Sequence, residues 1–426
     1  MSCATTLLLL LAMATTISCL QELEMVQRAH SQVLQARNWV QAFVALHGYD
    51  WNHVGMSLSD CAKLYNESES RLARLLSDEN YTHDDAHTWL SGVLANHRSC
   101  VDGLGEKGFV EAHEVGKNLT SLLSEALALY GKSMGKGKGK PVGQKIDQNG
   151  GNLISWNPAT SKANFIVAKD GSGTHTTIND AVAALSRMGH DGSQRIIIYV
   201  KSGVYNENVE IERNMKNVMF VGDGMDKTIV TGNRNVPDGS TTFNSATFGV
   251  WGDGFWARDI TFENTAGPQK QQAVALRVGS DCAVFYRCSF KGYQDTLCVH
   301  SLRQFYRDCH IYGTIDFIFG DAPVVFQNCD IFVRRPMDHQ ANIITAQDLD
   351  GIIDPKGWTE YRGAFALSTL FYGEYMNVGA SIERRVNWPG FHVLTSPREA
   401  SAFTASSFIQ GESWIPMTGV PLGLGI

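Results

Sequence analysis

The chain has 426 residues, 43% of them hydrophobic and 19% charged, with a formal net charge of −7. That length holds two or three domains with ample core, and that composition excludes a disordered chain. The acidic total excludes a globally basic nucleic-acid binder, yet leaves room for local basic clusters that meet a polyanion.

Residues 1–20 carry the apolar run Leu7 to Leu11 among small and hydroxyl residues and read as a secretory signal. No Lys or Arg precedes the run, so a signal anchor is the alternative. No other stretch is long enough to span a bilayer. Residues 21–130 then repeat apolar side chains at three- and four-residue steps, the spacing of amphipathic helices. Val26, Val33, Trp39, Val40 and Phe43 mark one helix, and Leu64, Leu72, Leu75 and Leu76 a second. Trp89, Leu90, Val93 and Leu94 mark a third, and Leu119, Leu122, Leu123, Ala126, Leu127 and Tyr130 a fourth. Four such helices with short connections make a four-helix bundle. Secretion permits disulfides, and Cys61 and Cys100, one in each of two predicted helices, are a candidate pair. Asn66, Asn80 and Asn118 head glycosylation sequons that agree with a secreted chain.

Residues 131–160 open with glycines alternating with lysines and read as a flexible basic linker. It is a solvated tether or a protease-accessible processing site. Its Gly-to-Gly-Lys spacing is wrong for a phosphate-binding loop.

From 161 to 426 short strand-like runs replace the helical spacing. Ile196 to Val200 and Val218 to Val221 are apolar. Units ending in Cys288, Cys309 and Cys329 recur at steps of 20–21 residues. One coil of that length cannot bury its own face and must stack on others, which makes a parallel β-helix. Asp180 to Met188 reads as a short helix closing the open N-terminal end. Cys282, Cys288, Cys298, Cys309 and Cys329 are odd in number, so their pairing stays open. They lack Cys-x-x-Cys spacing, so no zinc site is expected.

Two stretches within the repeats share a pattern: Gly292-Tyr293-Gln294-Asp295 and Gly313-Thr314-Ile315-Asp316, 21 residues apart. Stacked coils lie about 4.8 Å apart, so the period predicts a carboxylate pair on neighbouring rungs. Two carboxyls that close rarely ionise together, so one can attack while the other handles protons.

Further motifs extend the pattern: Gly203-Val204-Tyr205-Asn206-Glu207, Gln272-Ala273-Val274-Ala275-Leu276-Arg277, Asp316-Phe317-Ile318-Phe319-Gly320 and Asp354-Pro355-Lys356-Gly357-Trp358. Tyr372-Gly373-Glu374-Tyr375 and Trp388-Pro389-Gly390 follow. With these in order, residues 164–426 resemble the plant pectinesterases, carbohydrate esterases built on a right-handed parallel β-helix. The helical part resembles the inhibitor-like pro-region that precedes many of them.

The resemblance implies hydrolysis of the methyl esters of cell-wall pectin in the apoplast, with no cofactor and no metal. Asp316 is the implied nucleophile and Asp295 the general acid and base. Gln272 and Gln294 are the implied donors to the developing oxyanion. Trp358 and Phe317 are expected in the groove, where sugar rings present apolar faces. The plainer readings are turn-capping for the aspartates and an amide ladder between coils for the glutamines. Tyr205 and Glu207 are expected to be structural. Pectin is the expected partner, the pro-region a possible cover for the groove, and the chain a monomer that binds no nucleic acid.

The chain departs from the family at one place. Ile344-Thr345-Ala346-Gln347 runs straight into Asp348, and no Leu-Gly-Arg-Pro-Trp motif occurs anywhere. The gap is worth about two coils. The absent arginine is the one that, in the family, holds the nucleophilic carboxylate, and Arg277 is a conceivable substitute. Three readings follow: an active esterase with a rearranged site, an inactive pectin-binding or inhibitor-like relative, or a faulty or alternatively spliced gene model. A retaining β-helix glycosidase would also use two carboxylates about 5 Å apart, but the flanking glutamines favour the ester mechanism. The pro-region keeps one of the two expected disulfides, which leaves its first helix less firmly held.

Overall fold

The computed structural model describes residues 3–47, 54–77, 80–105, 112–132, 152–344, 358, 360, 367–376 and 385–425. The chain forms two compact units, Met1–Gly143 and Gln144–Ile426. Most of the predicted linker, and the junction at 347–348, lie outside the described residues.

The first unit is a four-helix bundle of α1 (Cys3–His47), α2 (Val54–Leu76), α3 (His83–Gly105) and α4 (Ala112–Lys132). α1 packs on α2 and α4, and α3 packs on the same two helices. The apolar stripes meet inside: Val26, Val33, Leu64, Leu72, Trp89, Val93, Leu119 and Leu123 are buried. Cys61 and Cys100 form the expected disulfide between α2 and α3. α1 begins at Cys3, so the apolar run at 7–11 lies inside its first turns. Among the described residues no helix is long and apolar enough to cross a membrane. Two sequons are absorbed by local structure. The Ser68 hydroxyl after Asn66 is buried, donating to Leu64 O at 2.8 Å and accepting from Asn96 at 3.1 Å. Thr82, two residues after Asn80, caps α3 by accepting from Asp85 N at 3.0 Å. Asn118 is exposed on α4.

In the second unit β1 (Phe165–Val167) starts a stack and α5 (Ile178–Arg187) closes it. Ile178, Ala181, Val182 and Leu185 of α5 are buried in the core. Five three-strand coils follow: β2 (Ile196–Val200), β3 (Gly203–Asn206), β4 (Val209–Ile211); then β5 (Val218–Val221), β6 (Thr228–Gly232), β7 (Phe248–Val250); then β8 (Trp256–Arg258), β9 (Thr261–Asn264), β10 (Leu276–Val278). The fourth is β11 (Ala283–Tyr286), β12 (Ser289–Lys291), β13 (Leu297–Val299), and the fifth β14 (Gln304–Arg307), β15 (His310–Gly313), β16 (Ile318–Phe319). β17 (Val324–Gln327) and β18 (Asp330–Val333) begin a sixth, and β19 (Tyr372–Tyr375) pairs only with β20 (Phe391–Leu394).

First, second and third strands of successive coils align into three parallel sheets, here A, B and C. This is the right-handed parallel β-helix that the 20–21-residue period predicts. Its interior is an apolar column in which Phe285, Tyr306 and Phe326 stack at 4.8 and 4.7 Å. From the third coil on, each turn from A to B passes through one left-handed residue: Asp259, Arg287, Asp308 and Asn328, with φ of 60°, 49°, 53° and 52°. Their side chains pair along the stack. Arg287 binds Asp259 through two bonds of 2.7 and 2.6 Å, and Asn328 donates to Asp308 at 2.6 Å. The following residues include Cys288 and Cys309, both buried as small apolar fillers. All five cysteines of this unit are free thiols.

Glu207 is structural, as expected. Its carboxylate accepts from Ile178 N at 2.9 Å and Asn179 N at 2.8 Å, capping the positive end of α5. Tyr205 is buried and donates to Lys201 O at 2.9 Å.

Candidate active site

The two aspartates occupy equivalent turns leading into sheet C. Leu297 is in register with Ile318, and Asp295 and Asp316 each lie two residues before these partners. Asp295 N donates to Ile315 O at 3.0 Å and Leu297 N to Phe317 O at 2.9 Å, so the ladder runs through the turn. The carboxyl-bearing residues therefore sit on adjacent rungs, which are about 4.8 Å apart in a parallel stack.

Both aspartates are left-handed, with φ of 62° and 45°, a conformation costly for residues other than glycine and concentrated at functional sites. The shared glycine has a steric reason. A Cβ on Gly292 would meet Thr296 Oγ1 at 2.6 Å, and one on Gly313 would meet Phe317 Cβ at 2.2 Å. The Gly-x-x-Asp pattern is thus a tight turn folded back on the residue after the aspartate.

Asp295 is 8% exposed. Burial pushes the Asp316 carboxyl above the ordinary aspartate value. Among the described residues its carboxylate has no hydrogen-bond or ion-pair partner, so it does not cap its own turn.

Gln272 lies on the preceding coil, four residues before β10, and Gln294 immediately precedes Asp295. Ala273 N donates to Gln294 O at 3.2 Å and so ties the two segments together. The Gln272 Oε1 atom is buried without a partner, and among the described residues neither side-chain amide is spent on a ladder between coils. A buried amide oxygen without a partner is unusual unless something binds there.

Arg277 does not replace the absent arginine. It is 1% exposed, donates to Phe243 O and Glu210, and lies 3.8 Å over the Phe243 ring. Gly249 permits this: a Cβ there would meet Glu210 Oε2 at 2.2 Å and Arg277 Nη2 at 2.7 Å.

The expectation for Phe317 needs correction. Phe317 is 0% exposed and belongs to the interior column, because the turn after Asp316 drives it inward. The ring on the outer face of sheet C is Phe319, half-buried against Ala246, Val274 and Cys298. Strand alternation could have found it: Leu276, Leu297 and Ile318 are inward, so Arg277, Cys298 and Phe319 are outward. Trp358 lies with the separate β19–β20 pair. It stacks on Tyr372 at 4.4 Å and donates to Glu374 at 3.0 Å, and Glu374 also binds Arg385 at 3.0 Å. No described contact joins Trp358 to the two aspartates. Among the described residues no cluster of acidic, histidine or cysteine side chains is suited to hold a metal.

The parallel β-helix and its matches to known proteins place the chain among the carboxylic ester hydrolases. The profile described as "Pectinesterase" matches residues 164–350 and 348–412, and that of the plant invertase/pectin methylesterase inhibitor matches 3–129. The chain belongs to the pectinesterase family and carries an inhibitor-type domain in front. It is 52% identical to a probable pectinesterase/pectinesterase inhibitor 36 of Arabidopsis thaliana, covering 98% of this chain and 97% of that one. It is 44% identical to pectinesterase 2 of Citrus sinensis over 86% of this chain and 81% of the other. Among solved structures it resembles pectin methylesterase from carrot, at 45% identity and a TM-score of 0.60, covering 63% of this chain and all of that one. The Arabidopsis alignment runs over 503 positions, more than the 426 residues here, so that relative carries residues this chain lacks. The two pieces of the pectinesterase match meet at 348–350, where Gln347 runs directly into Asp348.

Proposed function

We propose that this chain hydrolyses the methyl esters of homogalacturonan with Asp316 as nucleophile, at a rate limited by the absent arginine. The observation that carries the reading is the pair of left-handed aspartates in register on adjacent coils, with Gln294 next to Asp295 in the chain and Gln272 on the preceding coil. Asp316 attacks the ester carbonyl carbon, and Gln272 and Gln294 donate to the oxyanion. Asp295 protonates the departing methoxide and becomes a carboxylate. That carboxylate takes a proton from water, whose oxygen attacks the acyl-aspartate and frees Asp316 and the galacturonate.

Among the described residues Asp316 has no partner, which supports a second reading, an inactive pectin-binding relative. Without a cation the nucleophile is neither fixed in direction nor kept ionised. We assign the inhibitor-type bundle a restraining role, residues 1–20 a secretory leader, and the cell wall as the place of action of a monomer. Methanol released from highly methylated pectin by the full chain, and lost in Asp316→Asn, is the expected result. Equal release by both proteins overturns the mechanism, and no release by either favours the second reading.

A further inference from the structure

We propose that the outer face of sheet B, at its last two strands, is a binding platform for a de-esterified stretch of the polygalacturonate chain. The proposal rests on pectin being the substrate.

Period-two alternation sends Ile311 and Ile331 inward and leaves Tyr312 and Phe332 outside. These two rings stack at 4.5 Å with planes 10° apart. His310 meets Phe332 edge-on at 5.5 Å. Phe332 is 39% exposed and so open to solvent, on an edge strand whose inward Ile331 is exposed as well. The Arg334 guanidinium lies 4.8 Å over Tyr293 and 5.6 Å from the centre of Tyr312, and donates to Gly292 O at 2.9 Å. Tyr293 is next to Gln294, so the stripe begins beside the carboxylate pair.

The charges select the occupant. Lys291 is already paired with Asp226 at 3.0 Å, and His310 with Asp330 at 3.4 Å. Arg334 and Arg335 have no carboxylate partner among the described residues. The Arg334 guanidinium thus lies over two rings, and the exposed Arg335 follows it in sequence, in a chain of net charge −7. Each galacturonate unit offers an apolar ring face for an aromatic and a carboxylate for a guanidinium. Methyl esterification keeps the face and removes the charge. The platform therefore favours the product stretch over the substrate, and retains a chain whose next esters lie at Asp295 and Asp316.

The test is calorimetric titration of the full chain with fully de-esterified polygalacturonate and, separately, with highly methylated pectin of matched length. Polygalacturonate should bind more tightly, with a preference that shrinks as salt rises. The double variant Phe332→Ala/Arg335→Gln should keep the parent's melting midpoint and lose about tenfold in affinity for polygalacturonate. Lys162→Gln, an exposed cation elsewhere on the unit, should lose nothing. Equal affinity of parent and double variant, no preference between the polymers, or no binding by the parent overturns the platform. Methanol release is read separately. Its absence with polygalacturonate binding retained sinks the esterase reading alone, and its presence without that binding sinks the platform alone.

Discussion

The first five coils and the coil that follows them grow from the same repeat, but they do not fare alike. In β11 and β14 all but the last residue is buried, whereas β17 is half-buried throughout and β18 is largely exposed, with Ile331 at 42%. Interior and edge differ because a solenoid stabilises each rung mainly through its two neighbours. Asp316 stands on the fifth coil, next to the thin end, while Asp295 and Gln272 stand on coils covered on both sides. The carboxylate asked to attack is thus the one with the weakest support.

Five expectations test this contrast, ordered by size. Asp316→Asn should remove about 10⁴-fold of whatever turnover the chain has, measured as methanol release. It should also raise the melting midpoint at pH 7 by about 2 °C, since a desolvated charge is lost. The linkage sign follows from the raised pKa. The folded state holds this proton to a higher pH than the unfolded chain, so the wild type loses stability as pH rises from the ordinary aspartate value through the folded one. The same shift moves the acid limb of the rate profile upward.

Restoring the absent coils between Gln347 and Asp348 should raise methanol release about 10²- to 10³-fold and bring the acid limb back down. An unchanged rate would mean that the edge position of Asp316 is harmless. Gln272→Ala should lower kcat about 10²-fold with a smaller change in KM, and a pure KM effect would return the residue to a structural role.

Two stability variants probe the well-covered half. Arg258→Ala removes guanidinium bonds to Leu153, Ile154 and Trp156 carbonyls, which strap residues 153–156 onto sheet A. It should cost about 2–3 kcal/mol in chemical denaturation. Glu207→Gln weakens the cap on α5 and should cost about 1 kcal/mol by the same measurement.

Much of this was legible in the sequence. The 20–21-residue spacing of the cysteine units sets the coil length, and the 21-residue spacing of Asp295 and Asp316 sets their alignment, because identical coils must repeat every contact at their own period. Helical spacing gave the bundle and its disulfide for the same local reason. Tertiary structure decided what depends on facing. Phe317 turns inward and Phe319 outward because Gly313 folds the turn against the Phe317 Cβ. Arg277 is spent on Glu210 through the space above Gly249. Trp358 stacks on Tyr372 and donates to Glu374. Periodicity specifies which rung a residue occupies, but the direction of its side chain and the partner it meets are set by the chain packed around it.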